Sequence, residues 1–145
     1  MTHEVIKADG MPRPAGHYSP AVRVGNTLFV SAQNGIDPAS GTVPDGGFEA
    51  ECRQAFANIE SVLKASNSSL ACVVKATVLY TDIVDLPIIN KVFATIFPTD
   101  PPARTAAIVG LPGGRRISIE TVAVVPSLQE RVGDHNESYV PIPAS

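Results

Sequence analysis

Residues 72–80, Cys72-Val73-Val74-Lys75-Ala76-Thr77-Val78-Leu79-Tyr80, decide how the rest of the chain must be arranged. The β-branched run predicts a strand. Apolar side chains hold most of its positions rather than every second one, which predicts a strand covered on both faces. An amphipathic helix is expected on each side of it. Upstream, Phe48, Cys52, Ala55, Phe56, Ile59, Val62 and Leu63 recur at steps of three and four, predicting a helix over 48–65 that Asn67-Ser68-Ser69 ends. Downstream, Leu86, Ile89, Val92, Phe93, Ile96 and Phe97 form a second apolar stripe. Asp85 is the expected N-cap of this helix, Pro87 falls in its permissive first turn, and Pro98 with Pro101-Pro102 stops it.

Further out lie the remaining strands. Arg23 to Val30 reads as a hairpin around Gly25-Asn26, with the second run continuing through Ser31-Ala32-Gln33. Asn34 to Gly41 and Asp45-Gly46-Gly47 are loops by their turn residues. Arg104 to Val109 predicts a short strand, and Arg116 to Val124 a last one. In the last strand Ile117, Ile119, Thr121 and Ala123 face one way, and Ser118, Glu120, Val122 and Val124 the other. The order β-β-α-β-α-β-β predicts an α+β fold, a single mixed sheet with two helices on one face. The second sheet face is then left without cover, and another copy of the chain is the economical cover for it.

The 145 residues predict one domain. We place it at 1–126, followed by a C-terminal tail, 127–145, that turns polar before the Pro-spaced end Tyr139-Val140-Pro141-Ile142-Pro143. The core must come from Val, Ile, Leu and Ala, because Trp is absent and aromatics are only 6%. A net charge of −3, with no basic run beyond Arg115-Arg116, argues against a nucleic-acid partner. No apolar run reaches the roughly 20 residues of a membrane span. The start MTHEVIKADG lacks the apolar segment of a signal peptide, so a cytoplasmic location is expected. Cys52 and Cys72 form neither a CxxC pair nor a disulfide framework.

Few residues are left to carry chemistry. His3, His17 and His135 stand far apart, without metal-ligand spacing, so no metal is expected. There is no GxSxG elbow, GxGxxG or P-loop. What remains is Arg104 and Glu120, with the polar residues Tyr18, Ser19, Ser31 and Asn90. An Arg on a strand can grip a carboxylate with two parallel hydrogen bonds. A Glu can position or deprotonate a water. From periodicity alone the favoured reading is that the two simply pair with each other across the sheet or a subunit interface.

The chain resembles the RidA (YjgF) family of reactive-intermediate deaminases over roughly 12–126. Pro14-Ala15-Gly16-His17-Tyr18-Ser19-Pro20-Ala21-Val22 is similar to the family's P-x-G-P-Y-S-Q-A-V opening, and Leu28-Phe29-Val30-Ser31-Ala32-Gln33 to its (F/Y)-(V/I)-S-G-Q. Val73 to Val78 resembles V-V-K-x-T-V, and Ile89-Asn90-Lys91-Val92-Phe93 the family's Asn-bearing segment. Pro102-Ala103-Arg104-Thr105 is similar to P-A-R-(S/T/C). Leu111-Pro112, then Ile117-Ser118-Ile119-Glu120, resembles L-P followed by (V/I)-E-I-E.

The resemblance implies a chorismate-mutase-like homotrimer with clefts between subunits. It implies hydrolysis of 2-imino or enamine acids to 2-keto acids and ammonia, with no metal or organic cofactor. Arg104 would hold the carboxylate of a small substrate. Glu120, with backbone near Thr105, would place the attacking water, and Tyr18, Ser31, Ala32 and Asn90 would line the cleft. Four departures bear on the substrate: Ser118 for the first Glu of E-x-E, His17 for Pro, Ala32 for Gly, and Asn34-Gly35 for Ile-Pro. Ala32 and Asn34, beside the cleft wall, motivate a second reading, a pathway-specific deaminase of a larger enamine or aminomuconate-like acid. Arg104 suits a non-catalytic carboxylate-binding trimer equally well, whereas Glu120 favours catalysis. The family has RNA-cleaving members too, and the acidic balance of this chain counts against that activity.

Overall fold

The computed structural model describes residues 2–7 and 9–127. The tail expected at 127–145 lies outside the described residues from 128 onward. Ten elements follow in order: β1 (Glu4–Ile6), β2 (Ala21–Val24), β3 (Thr27–Asn34), α1 (Gly47–Ala65), a 3-10 turn (Leu70–Cys72), β4 (Val73–Tyr80), a second 3-10 turn (Ile83–Asp85), α2 (Leu86–Ile96), β5 (Ala103–Ile108) and β6 (Ile117–Val124).

The strands form one mixed sheet in the order β1-β2-β3-β6-β4-β5. Of these neighbours only β4 and β5 run parallel, joined by the crossover through α2. The expected strand order lacked β1. Three residues with one buried side chain, Ile6, carry no readable period, and the strand exists because β2 offers a free edge. Asp85 stands at the expected N-cap position of α2 but its side chain does not cap the helix. The residue already has helical dihedrals and makes no capping bond. Asp82 instead accepts the Val84 N–H at 3.1 Å and opens the preceding 3-10 turn. Cys72 closes a 3-10 turn rather than opening β4.

The helices form where an apolar stripe has a sheet to cover. Along α1 the buried residues Phe48, Cys52, Ala55, Phe56, Ile59, Val62 and Leu63 are the ones the spacing selects. Asn67 ends the helix in the left-handed region (φ +59°), while the Ser68 N–H reaches back to the Leu63 carbonyl. Phe56 of α1 meets Phe93 and Phe97 of the α2 end edge-on, with centroids 5.2 and 5.8 Å away. Beneath the helices lie Leu28 and Val30 of β3, Ala76 and Val78 of β4, and Ile117, Ile119 and Ala123 of β6, all in one core.

The opposite sheet face has no layer on it among the described residues. Phe29 is 50% exposed and Val124 42%. No helix among the described residues is long and apolar enough to cross a membrane.

Candidate active site

A β-bulge builds the first half of the site. Val30 pairs with Thr121 and Gln33 with Ile119, so Ser31 and Ala32 together oppose the single residue Glu120. The extra residue turns Gln33 inward, where it is buried, and sets Ser31 and Ala32 beside the Glu120 side of β6. The bulge is tied to the segment before β2. Ser31 donates its backbone N–H to the Pro20 carbonyl at 2.9 Å and its hydroxyl to the Ser19 carbonyl at 2.6 Å. Tyr18 curls over the same segment, its hydroxyl accepting the Ala15 N–H at 3.1 Å. Tyr18, Ser31, Ala32 and Glu120 therefore share one cavity of about 410 Å³, with Ser118 and Arg115 on its wall.

Arg104 lies elsewhere. Across β6, β4 and β5 the residues Glu120, Thr77 and Thr105 form one row, and Thr121, Ala76 and Arg104 the next. Adjacent rows point to opposite faces. Glu120 and Thr105 are on the open face, and Arg104 is on the helix face of the edge strand. Its guanidinium stacks over the Phe93 ring, 4.8 Å from the centroid. It lines a separate cavity of about 420 Å³ with Phe97, Pro98, Pro101 and Pro102. Thr105 accepts the Lys75 ammonium at 2.7 Å on the open face. Asn90 is exposed on α2, three residues before Phe93, and lines neither cavity. Within one protomer Tyr18, Ser31, Ala32 and Glu120 line one cavity and Arg104 another, on opposite faces of the sheet. Among the described residues there is no Arg104–Glu120 ion pair.

Three residues of the site's surroundings went unread in the sequence. Asn58, buried on α1, donates to the carbonyls of Asn34 and Ile36 at 2.9 and 2.8 Å and holds the loop behind the bulge. Glu51, also buried on α1, anchors the approach to β6 by accepting from the Arg116 backbone and side chain. Arg115, next to that anchor, lines the Glu120 cavity and a neighbouring one. Asn58 and Glu51 were legible as polar residues within the helix, but not as contacts to distant loops.

Burial pushes the Cys52 thiol up to about 12. Burial also raises the Asp85 carboxyl, against the pull of Arg116. Glu49 is held below its usual range by the hydrogen bond from the Lys91 ammonium, 2.6 Å away. Among the described residues no group of three or more His, Cys, Asp or Glu side chains is placed to hold a metal.

Known proteins are similar to this chain in sequence and in fold. The family model described as Endoribonuclease L-PSP matches residues 9–125. The chain is similar to the 2-iminobutanoate/2-iminopropanoate deaminase of Bos taurus, 42% identical over 125 residues that cover 86% of this chain and 91% of the relative. It is 43% identical over 122 residues to the Rattus norvegicus protein of that name, covering 83% and 89%. Among solved structures, RidA from an Antarctic Psychrobacter superposes with a TM-score of 0.78 at 38% identity, over 83% of this chain and 98% of that one. Escherichia coli TdcF, solved with bound serine, gives 0.78 at 28% identity over the same shares. The fold, the order of the motifs and these matches together place the chain in the RidA (YjgF) family, whose model carries the L-PSP description.

Proposed function

We propose that this chain is a hydrolytic deaminase that converts 2-imino or enamine acids to 2-keto acids and ammonia, in clefts between the subunits of a homotrimer. The observation that carries the reading is the pair of half-sites on opposite faces of one sheet. Arg104 has a fork suited to a carboxylate but no carboxylate partner among the described residues, and Glu120 lines a cavity of mixed polar and apolar residues with no cation within ion-pairing distance among them. Packing the open face of one copy against the edge strand of the next joins them. Burying Phe29 and Val124 drives that association. The names of the deaminase relatives supply the reaction class.

The chemistry asks little of the protein. Arg104 holds the substrate carboxylate through its two-donor fork and so fixes the adjacent carbon. Glu120 accepts a proton from a water as the water oxygen bonds to the electrophilic iminium carbon. That proton passes to the nitrogen, Glu120 takes the remaining hydroxyl proton as the carbon–nitrogen bond breaks, and ammonia leaves as the carbonyl forms. Tyr18, Ser31 and Ala32 shape the wall, Asn90 lies on the Arg104 side, and the backbone at Thr105 offers polar groups on an edge strand. The iminium is already activated, so orientation supplies most of the acceleration. No cofactor is required by this sequence of steps.

The test is direct. An amino-acid oxidase generates the imine in situ, and its decay is followed with and without this protein. Faster decay to the keto acid is expected. Unchanged decay of every imine tried, with protein shown to be folded, overturns the reading. Sedimentation should give three times the 15.2 kDa chain mass, and a monomer at micromolar concentration would overturn the intersubunit cleft.

A further inference from the structure

We propose that the cleft selects 2-imino acids bearing a second, distal carboxylate, and that Arg115, assisted by Arg13, receives it. This rests on the deaminase reading for its reaction, but not for its binding.

Two neighbouring arginines differ in their partners. Arg116 is neutralised: its guanidinium meets the buried Glu51 carboxylate at 2.8 Å. Arg115, one residue earlier, makes no ion pair or hydrogen bond among the described residues. The clasp on residue 116 fixes the backbone and leaves residue 115 half-buried at the boundary of two cavities. One is the Glu120 cavity. The other, of about 440 Å³, shares its Ala15, Tyr18, Ala32 and Asn34 wall and adds Arg13.

The charge in the second cavity is one-sided. Arg13 and Arg115 line it, and no Asp or Glu among the described residues does. A concave site lined by one sign of charge focuses its field and concentrates counter-ions. Asn34 and Tyr18 add neutral donors. Ser118, on β6 beside this wall, is a hydroxyl and adds no negative charge there. Glu120 prefers the cationic iminium end of a substrate, and Arg115 the anionic far end. A 2-imino dicarboxylate satisfies both, with its own α-carboxylate left for Arg104 of the adjoining copy. The planar arginine fork suits a carboxylate and makes this a specificity residue rather than a catalytic one.

The experiment compares 2-iminopropanoate, 2-iminosuccinate and 2-iminoglutarate, each generated in situ. The dicarboxylates should show kcat/KM higher by tenfold or more, carried mainly in KM. Arg115→Gln should lower the dicarboxylate-to-iminopropanoate ratio by about 10- to 100-fold. Binding of the stable 2-oxoglutarate against pyruvate, followed by calorimetry, gives a readout free of catalysis. Preference for 2-oxoglutarate that Arg115→Gln abolishes supports the distal site even if no imine is hydrolysed, a result that would overturn only the deaminase reading. Equal losses on all three imines place Arg115 at the shared end of the substrate and overturn the proposal. So does a wild-type protein with no preference in either assay.

Discussion

Arg116 gives both its backbone N–H and its Nε–H to the carboxylate of Glu51, one oxygen each, at 2.8 Å. The helix α1 thereby holds the start of β6, 65 residues away, and with it the strand that carries Ser118 and Glu120. The pair is asymmetric: the Glu51 side chain is 2% exposed and that of Arg116 43%. Removing Arg116 strands a buried carboxylate, at a cost of about 3–5 kcal/mol. Glu51→Gln keeps an acceptor for the backbone N–H and leaves a cation that water can reach. It should cost less, on the order of 1.5–3 kcal/mol. Urea melts of Arg116→Met and Glu51→Gln check the order, and the reverse order would show that the clasp is not what holds the strand.

Gly35 lies directly beneath this clasp. A Cβ there would stand 2.5 Å from Glu51 Cγ and closer still to the Glu51 carbonyl oxygen, which is backbone and cannot swing away. Gly35→Ala should therefore destabilise by at least about 1–3 kcal/mol. The same melts provide the measurement. A neutral result would mean that the loop behind the bulge shifts freely.

The helices and the middle of the sheet were legible because their signal is local. A period of three and four residues reports a helix whatever it packs on, and Ile117, Ile119 and Ala123 alternate as a half-buried strand must. The candidate residues could be named from the sequence, but how they are arranged could not. The bulge that sets Ser31 and Ala32 against Glu120 arises from a register shift between strands distant in sequence, and neither strand encodes it alone. The same holds for Arg104, whose face follows from its parallel pairing with Ala76. Asn58 and Glu51 resemble any polar residues on a helix until the loops they bind are in place.

Thr121 shows the cost of one polar atom in the core. Its hydroxyl is buried and has no hydrogen-bond partner among the described residues. Thr121→Val removes the stranded group and keeps the β-branched shape, and should stabilise by on the order of 1 kcal/mol. A higher melting temperature is expected. A lower one would reveal a partner for the hydroxyl in solution.

The cysteines should separate cleanly. Cys52 is fully buried and its thiol is pushed up to about 12 by desolvation, from an ordinary 9.0. Cys72 is partly exposed and receives the Ser69 hydroxyl at 3.4 Å. A thiol reagent at neutral pH should label one site fast, and Cys72→Ser should abolish that phase. The Cys52 shift also sets an alkaline limit. Between pH 9 and 12 the unfolded chain loses the proton that the folded chain keeps. Stability from this group is therefore complete below pH 9 and falls as pH rises towards 12. In Cys52→Ala the alkaline limb of stability against pH should flatten, whatever the loss at neutral pH.

The half-sites lead to a test of the assembly itself. Arg104→Lys removes the planar fork and should lose most imine hydrolysis while the strand survives, since Lys retains charge and length. Glu120→Gln removes the proposed acceptor of the water's proton and should do the same. If both residues served a cleft within one protomer, mixing the two inactive proteins would restore nothing. In a ring of three, each cleft takes Arg104 from one copy and Glu120 from the next. Random mixing then gives three mixed trimers in four, each with one intact cleft of its three, or about a quarter of all clefts. Unfolding and refolding the variants together should recover activity towards that fraction, while each refolded alone stays inactive. If the two residues instead only paired across the interface to hold it, each variant would keep its turnover and lose thermal or trimer stability. Near-normal turnover with a lowered melting temperature would make Arg104 and Glu120 structural residues and remove them from the mechanism.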